Sequence, residues 1–350
     1  MIKRVAIICG GRSSEHEISC ISAGGIVGAI DRTKFDPIVI GITKSGKWVH
    51  IADDFPLHIV EGVLPVIPED APAVVADVAG FSIRGVPLNI DIAFPVLHGP
   101  YGEDGTIQGM LEIANIPYVG SGVLASAVAM DKSFAKPIFV SHGIKVAEGI
   151  TITSKQWAAD APTITCDANS LSYPVFVKPA RGGSSRGTHK VKSESELAAA
   201  INDALLYDSK VMIENAVIGY EVECAVLENN GVAQASVVGK ISIDPKFEFY
   251  DFEAKYLDGA TTIELPAPID QETSDEIRRL AIKAFNALDC RGLARVDFFL
   301  TNNGEIIINE LNTMPGFTST SVFPKMWAAT DLDYKSLILT LLESSRTGSM

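Results

Sequence analysis

Asn303-Gly304 stands between two runs, ARVDFFL (294–300) and EIIINEL (305–311), and nothing else in the chain narrows its fold as much. Both runs are rich in β-branched and aromatic residues, so both read as strands. Asn-Gly is the strongest short hairpin signal. With those two residues as the turn, Asn302 faces Glu305, Asp297 faces Glu310, and Arg295 faces Asn312. Side chains alternate along a strand, so Arg295, Asp297, Glu310 and Asn312 share one face of the ribbon. Two carboxylates and an amide oxygen suit a hard divalent cation such as Mg²⁺. The neighbouring guanidinium offers paired donors to a phosphoryl group or oxyanion. Four polar residues alone would favour a solvated hairpin end with cross-strand charge pairs. The segment that follows, NTMPGFTSTS (312–321), tips the balance, because such glycine- and hydroxyl-rich loops place backbone N–H groups beside ligands.

A chain of 350 residues exceeds one simple core, and two or three domains are expected. Apolar residues make up 47% and charged residues 21%, the balance of an ordinary soluble enzyme. The net charge of −14, without a Lys/Arg run, argues against nucleic acid or an anionic membrane as partner. It leaves room for a locally basic nucleotide pocket. The five cysteines are scattered and form no CxxC pair, so neither zinc nor a disulfide framework is indicated. The apolar start MIKRVAIICGG is too short for a signal peptide and reads as a first strand. A cytoplasmic location is expected.

Along the chain, a strand at 4–9 runs into Gly10-Gly11 and a helix start, with Ser14 and Glu17 spaced as a capping box. Strand, glycine turn and helix open a doubly wound α/β unit with its ligand side at the strands' carboxyl ends, where Glu15 falls. A strand over 90–97 ends in His98-Gly99-Pro100-Tyr101-Gly102-Glu103 at the same edge. Gly120-x-Gly122 lacks the acidic partner that dinucleotide binding wants, so a tight turn is preferred. ARGGSSRG (180–187) lies between two strands and offers many N–H groups to phosphates. Lys178 and Lys132 are candidate phosphate contacts. A strand ending at Glu214, with Glu221 seven residues on, could hold an adenosine, but without context reads rather as two surface acids. Residues 246–260 read as a polar-aromatic loop of the kind that closes over a site.

Taken together, these segments resemble the D-alanine–D-alanine ligases of the ATP-grasp superfamily. GGRSSEHEIS (10–19), HGPYGEDGTIQG (98–109), MDK (130–132), FVKPARGGSSRG (176–187), IENAVIGYEVE (213–223), FYDFEAKY (249–256), ARVDFF (294–299) and NELNTMPGFTSTS (309–321) occur in family order, nearly end to end. The resemblance implies an α/β fold, α+β in its ATP-grasp part: a doubly wound N-terminal domain (1–120), a central lid (121–214) and a C-terminal ATP-grasp domain (215–350). It implies that two D-alanines are joined with ATP through an acyl phosphate, for peptidoglycan precursor synthesis, by a homodimer. A D-alanine–D-serine ligase, or another D-amino-acid ligase of this superfamily, is the alternative.

By position, Glu15 would hold the first D-alanine's ammonium, with His98 beside it. Lys132, Lys178, Lys255, Ser184 and Ser185 would contact ATP phosphates, with Ser184 also linked to Glu15 and Tyr256. Glu214 and Glu221, with backbone groups near Ala216 and Val217, would bind adenine and ribose, and Phe249 and Asn309 would also contact ATP. Asp297, Glu310 and Asn312 would hold two Mg²⁺ (or Mn²⁺), with Glu310 also at the nucleotide. Arg295 and the Gly316 N–H would form the oxyanion site, and Ser321 would take the second substrate's carboxylate. Tyr256 after Lys255 implies D-alanine rather than D-lactate as nucleophile. Arg186 departs from the family's small aliphatic residue after the double serine. Two rivals are a nucleotide-dependent oxidoreductase, prompted by the glycines, and a non-catalytic nucleotide sensor. The missing acidic partner weighs against the first, and the complete set at 295, 297, 310 and 312 against the second.

Overall fold

The computed structural model describes residues 2–183, 185–243 and 261–345. The chain opens with β1 (Lys3–Gly10), α1 (His16–Ala29), β2 (Phe35–Ile42) and β3 (Trp48–Ile51). A small antiparallel sheet of β4 (Val74–Asp77), β5 (Gly80–Ile83) and β6 (Val86–Pro87) intervenes before β7 (Ile92–Pro95) and α2 (Thr106–Ile113). The first sheet has the order β3-β2-β1-β7, with β1 parallel to both its neighbours. Val5, Ile7 and Cys9 turn toward Cys20, Ala23 and Ile26 of α1, while Ala6 and Ile8 pack on the α2 side with Ile107 and Leu111. Helices on both faces make this the doubly wound unit expected, with its ligand edge at the carboxyl ends of β1 and β7.

The capping box expected at Ser14 and Glu17 does not form. Helix α1 begins at His16 with Glu15 at its N-cap and no side-chain cap. Glu17 instead pairs with Lys44 on the loop after β2. A long-range cation outweighs a local backbone contact here.

Helices α3 (Val123–Met130) and α4 (Lys132–Ser141) follow, the second capped by Asp131 through the Ser133 N–H. Ala125, Ala129, Ala135 and Phe139 on these helices pack into the core beneath the C-terminal sheet. The central part holds β8 (Gly149–Thr153), α5 (Ser154–Ala159), α6 (Ala161–Ala168), β9 (Val175–Pro179), β10 (His189–Val191), α7 (Glu194–Ala204) and β11 (Lys210–Asn215). Its antiparallel sheet has the order β10-β9-β11-β8. Val175, Val177, Val191 and Ile213 bury one face against Ile164, Ala168, Leu197 and Ile201 of the helices. Phe176 and Lys178 alternate with them and reach the other face, so the period-two pattern of β9 separates core from site.

The last part holds β12 (Gly219–Asn229), β13 (Val232–Ile243), β14 (Thr261–Glu264), α8 (Gln271–Ala287), β15 (Leu293–Thr301), β16 (Ile306–Asn312), α9 (Val322–Ala328) and α10 (Tyr334–Glu343). Its antiparallel sheet has the order β14-β13-β12-β15-β16. Ile277, Leu280, Ala281, Ala284 and Phe285 of α8 cover one face over Val222, Val296, Phe298 and Ile308. The other face looks across a cavity of about 740 Å³ toward the central sheet. No helix among the described residues is long and apolar enough to cross a membrane.

Candidate active site

The hairpin lies at the floor of that cavity, in the expected pairing but by a different route. Asp297 pairs with Glu310 and Arg295 with Asn312. Near the turn the register is one residue shorter: Leu300 pairs with Ile306, and the Thr301 N–H donates to the Glu305 carbonyl at 2.9 Å. The loop is therefore Asn302, Asn303 and Gly304, with Gly304 left-handed at φ 80°, instead of a two-residue Asn-Gly turn. An irregularity between Asp297 and Phe298 restores the count. Phe298 pairs with Ile308 and Asp297 with Glu310, so Asn309 is the extra residue of a bulge. Bulging lets consecutive side chains, Asn309 and Glu310, both line the cavity, which a regular strand forbids.

The carboxylates of this face are met by cations. Arg295 donates to both oxygens of Asp297 at 2.7 Å and lies 3.2 Å from Glu223 on β12. Lys132, at the start of α4, reaches Glu310 at 3.0 Å and donates to the Gly182 carbonyl at 2.9 Å. Burial works against charge on Lys132, but Glu310, with Glu214 and Glu103 farther off, outweighs it and raises the ammonium pKa. Asn312 Oδ1 accepts from the Met314 N–H at 2.9 Å. An all-oxygen set of Asp297, Glu310 and Asn312 fits a hard divalent ion by the chemistry of its donors. Among the described residues no group of three or more His, Cys, Asp or Glu is placed to hold a metal.

A second charged cluster sits where the central sheet meets α4. Glu214, at the end of β11, is buried and bonded to Lys136 of α4 and, at 2.8 Å, to Lys178 of β9. Burial alone would push this carboxyl up, yet Lys178 and Lys136 hold it down at about 2. Lys178 also donates to Asn309 Oδ1 at 3.1 Å, which ties the bulge to the central sheet. Around these, Ser185, Arg186, Ala216, Val217 and Glu221 line the same cavity. Ser185 is left-handed at φ 54°, so the loop turns sharply there.

The N-terminal unit closes one end of the site. A Cβ on Gly99 would lie 3.2 Å from Glu15 Oε2, and one on Gly183 would lie 3.5 Å from it. Glu15 therefore stands between the β7–α2 loop and the phosphate-type loop of the central sheet. His98 is buried; its Nδ1–H donates to the Met314 carbonyl at 3.0 Å, and its Nε2 faces Ser22 Oγ at 3.4 Å. Burial lowers the His98 pKa, against the pull of Glu15, so the ring is neutral. Beyond Met314, Phe317 packs between Phe94, Phe323 and Tyr334, and Tyr334 donates to its carbonyl at 2.7 Å. These anchors hold the loop that carries Gly316. Ser321 Oγ lies 3.2 Å from where a Gly316 Cβ would be and accepts from the Thr318 N–H at 3.1 Å.

Lys132, Lys178, Ser185, Glu214, Ala216, Val217, Glu221, Asp297, Asn309 and Glu310 thus meet around one cavity. Arg295 and Asn312 lie beside Asp297, Glu310 and Met314, while Glu15, His98, Gly316 and Ser321 gather at the N-terminal side. Ser184, Phe249, Lys255 and Tyr256, with the segment 246–260, lie outside the described residues. Three buried polar residues of the site escaped sequence reasoning. Glu103 accepts from the Gly99 N–H at 2.6 Å. Lys136 holds Glu214. Glu223 pairs with Asp297 across β12 and β15. Lys136 follows Lys132 by four residues on one helix face, a spacing that could have flagged it.

The chain is similar to known proteins over nearly its whole length. The family model described as D-ala D-ala ligase N-terminus matches residues 4–121, and the one described as D-ala D-ala ligase C-terminus matches residues 138–343. A D-alanine--D-alanine ligase of Rhodococcus erythropolis is 48% identical, over 98% of this chain and 96% of its own. One from Mycobacterium sp. (strain KMS) is 46% identical with the same coverage. Among solved structures, the VanG D-Ala:D-Ser ligase of Enterococcus faecalis superposes with a TM-score of 0.86 at 38% identity, covering 98% of this chain and 99% of its own. The D-alanine-D-alanine ligase of Coxiella burnetii superposes at 0.83 with 33% identity, covering 98% and 93%.

Proposed function

The chain belongs to the D-alanine–D-alanine ligase family, and from that premise we propose its reaction and the residues that carry it. It joins two D-alanines to D-alanyl-D-alanine for peptidoglycan precursor synthesis. ATP phosphorylates the first carboxylate, the second amine attacks the acyl phosphate, and ADP and phosphate leave. One observation carries the residue assignment. Asp297 and Glu310 of the β15–β16 ribbon, with Asn309 from its bulge, line a cavity that Lys132, Lys178 and the glycine loop of the central sheet also line.

In this reading, ATP lies in the cavity between the two sheets. Its base and ribose meet Ala216, Val217, Glu214 and Glu221, with Phe249 as a further contact, and its phosphates meet Lys132, Lys178, Ser184, Ser185 and Lys255. Glu15 takes the first D-alanine's ammonium next to His98. The neutral His98 ring adds no competing cation there. Arg295 and the Gly316 N–H neutralise the oxyanion in both steps, a role supported by the anchoring of the 312–321 loop. Ser321 receives the second carboxylate, and Ser184 with Tyr256 orients Glu15. Asp297, Glu310 and Asn312 would hold Mg²⁺ or Mn²⁺, whose chemistry is to neutralise phosphate charge. Arg295 and Lys132 balance the same carboxylates without it. Water has to be kept from an acyl phosphate, which it would hydrolyse.

The enzyme is proposed to work in the cytoplasm as a homodimer, which sedimentation of the purified protein tests. D-alanine is proposed as the preferred second substrate. Supplied with ATP, Mg²⁺ and equal D-alanine, D-serine and D-lactate, the enzyme is expected to release phosphate and yield mainly D-alanyl-D-alanine by mass spectrometry. Phosphate release independent of D-alanine overturns the ligase reading. A predominance of D-alanyl-D-serine or of the depsipeptide overturns the second-substrate assignment alone.

A further inference from the structure

Glu214 is bonded on each carboxylate oxygen to a different lysine, and the two lysines face different surroundings. Lys178 approaches Oε2 at 2.8 Å, donates to Asn309 at 3.1 Å, and lines the cavity. Lys136 bonds to Oε1; its side chain is 6% exposed, and it is not among the described residues that line the cavity. A ligand in the cavity can reach Lys178 and cannot reach Lys136. When a phosphate competes for Lys178, Glu214 must keep a counter-charge, because an unpaired buried carboxylate is strongly disfavoured. Lys136 supplies that charge.

We propose that Lys136 is a positioning residue for nucleotide binding, the fixed counter-ion of Glu214 that frees Lys178 to exchange carboxylate for phosphate. The proposal rests on the reading that Lys178 contacts the ATP phosphates. It assigns Lys136 no contact with nucleotide. Without Lys136, Lys178 is the sole cation on Glu214 and stays there, so phosphate binding weakens while the base and ribose contacts persist. A purely structural lysine would weaken both together.

Lys136→Met is therefore expected to raise the KM for ATP about tenfold or more with kcat little changed, while Lys136→Arg stays within about threefold of wild type. The inhibition constant of adenosine, which has no phosphate, should not move. In a Glu214→Gln background, adding Lys136→Met should have no further effect, because an amide does not hold Lys178. A KM for ATP within twofold of wild type in Lys136→Met, equal weakening of ATP and adenosine, or an undiminished Lys136→Met effect beside Glu214→Gln would each overturn the inference. If Lys136→Met alone does not fold, the double variant, which buries neither charge, is compared with Glu214→Gln directly, and a KM for ATP raised about tenfold by the added Lys136→Met overturns the inference. Lys178→Met reports on the underlying reading separately. An unchanged KM for ATP there refutes phosphate contact by Lys178, whereas a raised one beside an unaffected Lys136→Met refutes this inference alone.

Discussion

Arg295 shows how much a single side chain does in this site. Its planar guanidinium bonds both oxygens of Asp297 and still lies within 3.2 Å of Glu223. A lysine keeps the charge and loses the paired donors. Arg295→Lys should lower kcat by about 10²–10³-fold, the usual loss when one transition-state donor goes. Steady-state rates within twofold of wild type would refute the role. Glu103 makes a prediction of another kind. Burial lifts its carboxyl to about 8, with repulsion from Glu15 added, and its Oε1 has no hydrogen-bond partner among the described residues. The folded protein thus keeps a proton that the unfolded chain loses near the ordinary carboxylate value, about 4.3. Between those values the unfolded state binds fewer protons, so stability falls as pH rises, by up to about 1.4 kcal/mol per unit. Glu103→Gln is neutral, keeps the acceptor for Gly99 and removes the slope. Its melting temperature relative to wild type should climb from pH 5 to pH 8 and then level off; a difference independent of pH would show that Glu103 is ionised throughout.

At the scale of elements, the bulge in β16 is the device that builds the site. The sequence reading reaches the pairing of Asp297 with Glu310 through a two-residue turn, whereas the chain uses a three-residue loop and recovers the register at Asn309. The two errors cancel because a loop residue gained and a strand residue bulged shift the count by the same one. Deleting Asn309 should leave Asp297 opposite Glu310, straighten the strand and remove the contact with Lys178. The variant is expected to fold, with a melting temperature within a few degrees of wild type, and to lose about 10²-fold in kcat/KM, the scale of a roughly 1 Å misplacement. Activity within threefold of wild type would mean the bulge is incidental. Helices α3 and α4 teach a related lesson. Their sequence lies next to the central sheet's, but their buried residues belong to the C-terminal core. In this way α4 carries Lys132 to Glu310 and Lys136 to Glu214 from one rigid element.

Over the whole molecule, the site exists only where three sheets meet. His98 and Met314 are 216 residues apart, and Lys178 and Asn309 are 131 apart, yet each pair shares a hydrogen bond. Ligands that bind across such a junction stabilise the assembled fold and not the unfolded chain. ATP with Mg²⁺ at about 100 times its dissociation constant should add about 2.7 kcal/mol of stability, visible as a raised melting temperature. D-alanine should add to this shift. No shift with ATP at concentrations that saturate turnover would contradict nucleotide binding by the folded enzyme.

The sequence by itself determined the doubly wound start, the hairpin, the shared face of Arg295, Asp297, Glu310 and Asn312, and through family motifs the chemistry. These follow from local rules, since strand period, turn residues and motif spacing are written within a few tens of residues. Tertiary structure alone decided the loop and bulge, the loss of the Ser14–Glu17 cap to a Lys44 pair, and the burial of Glu103, Lys136 and Glu223. The Lys44, Lys136 and Glu223 contacts depend on which distant group arrives to balance a charge. That energy is settled by burial, where an unpaired group costs far more than any local preference gains.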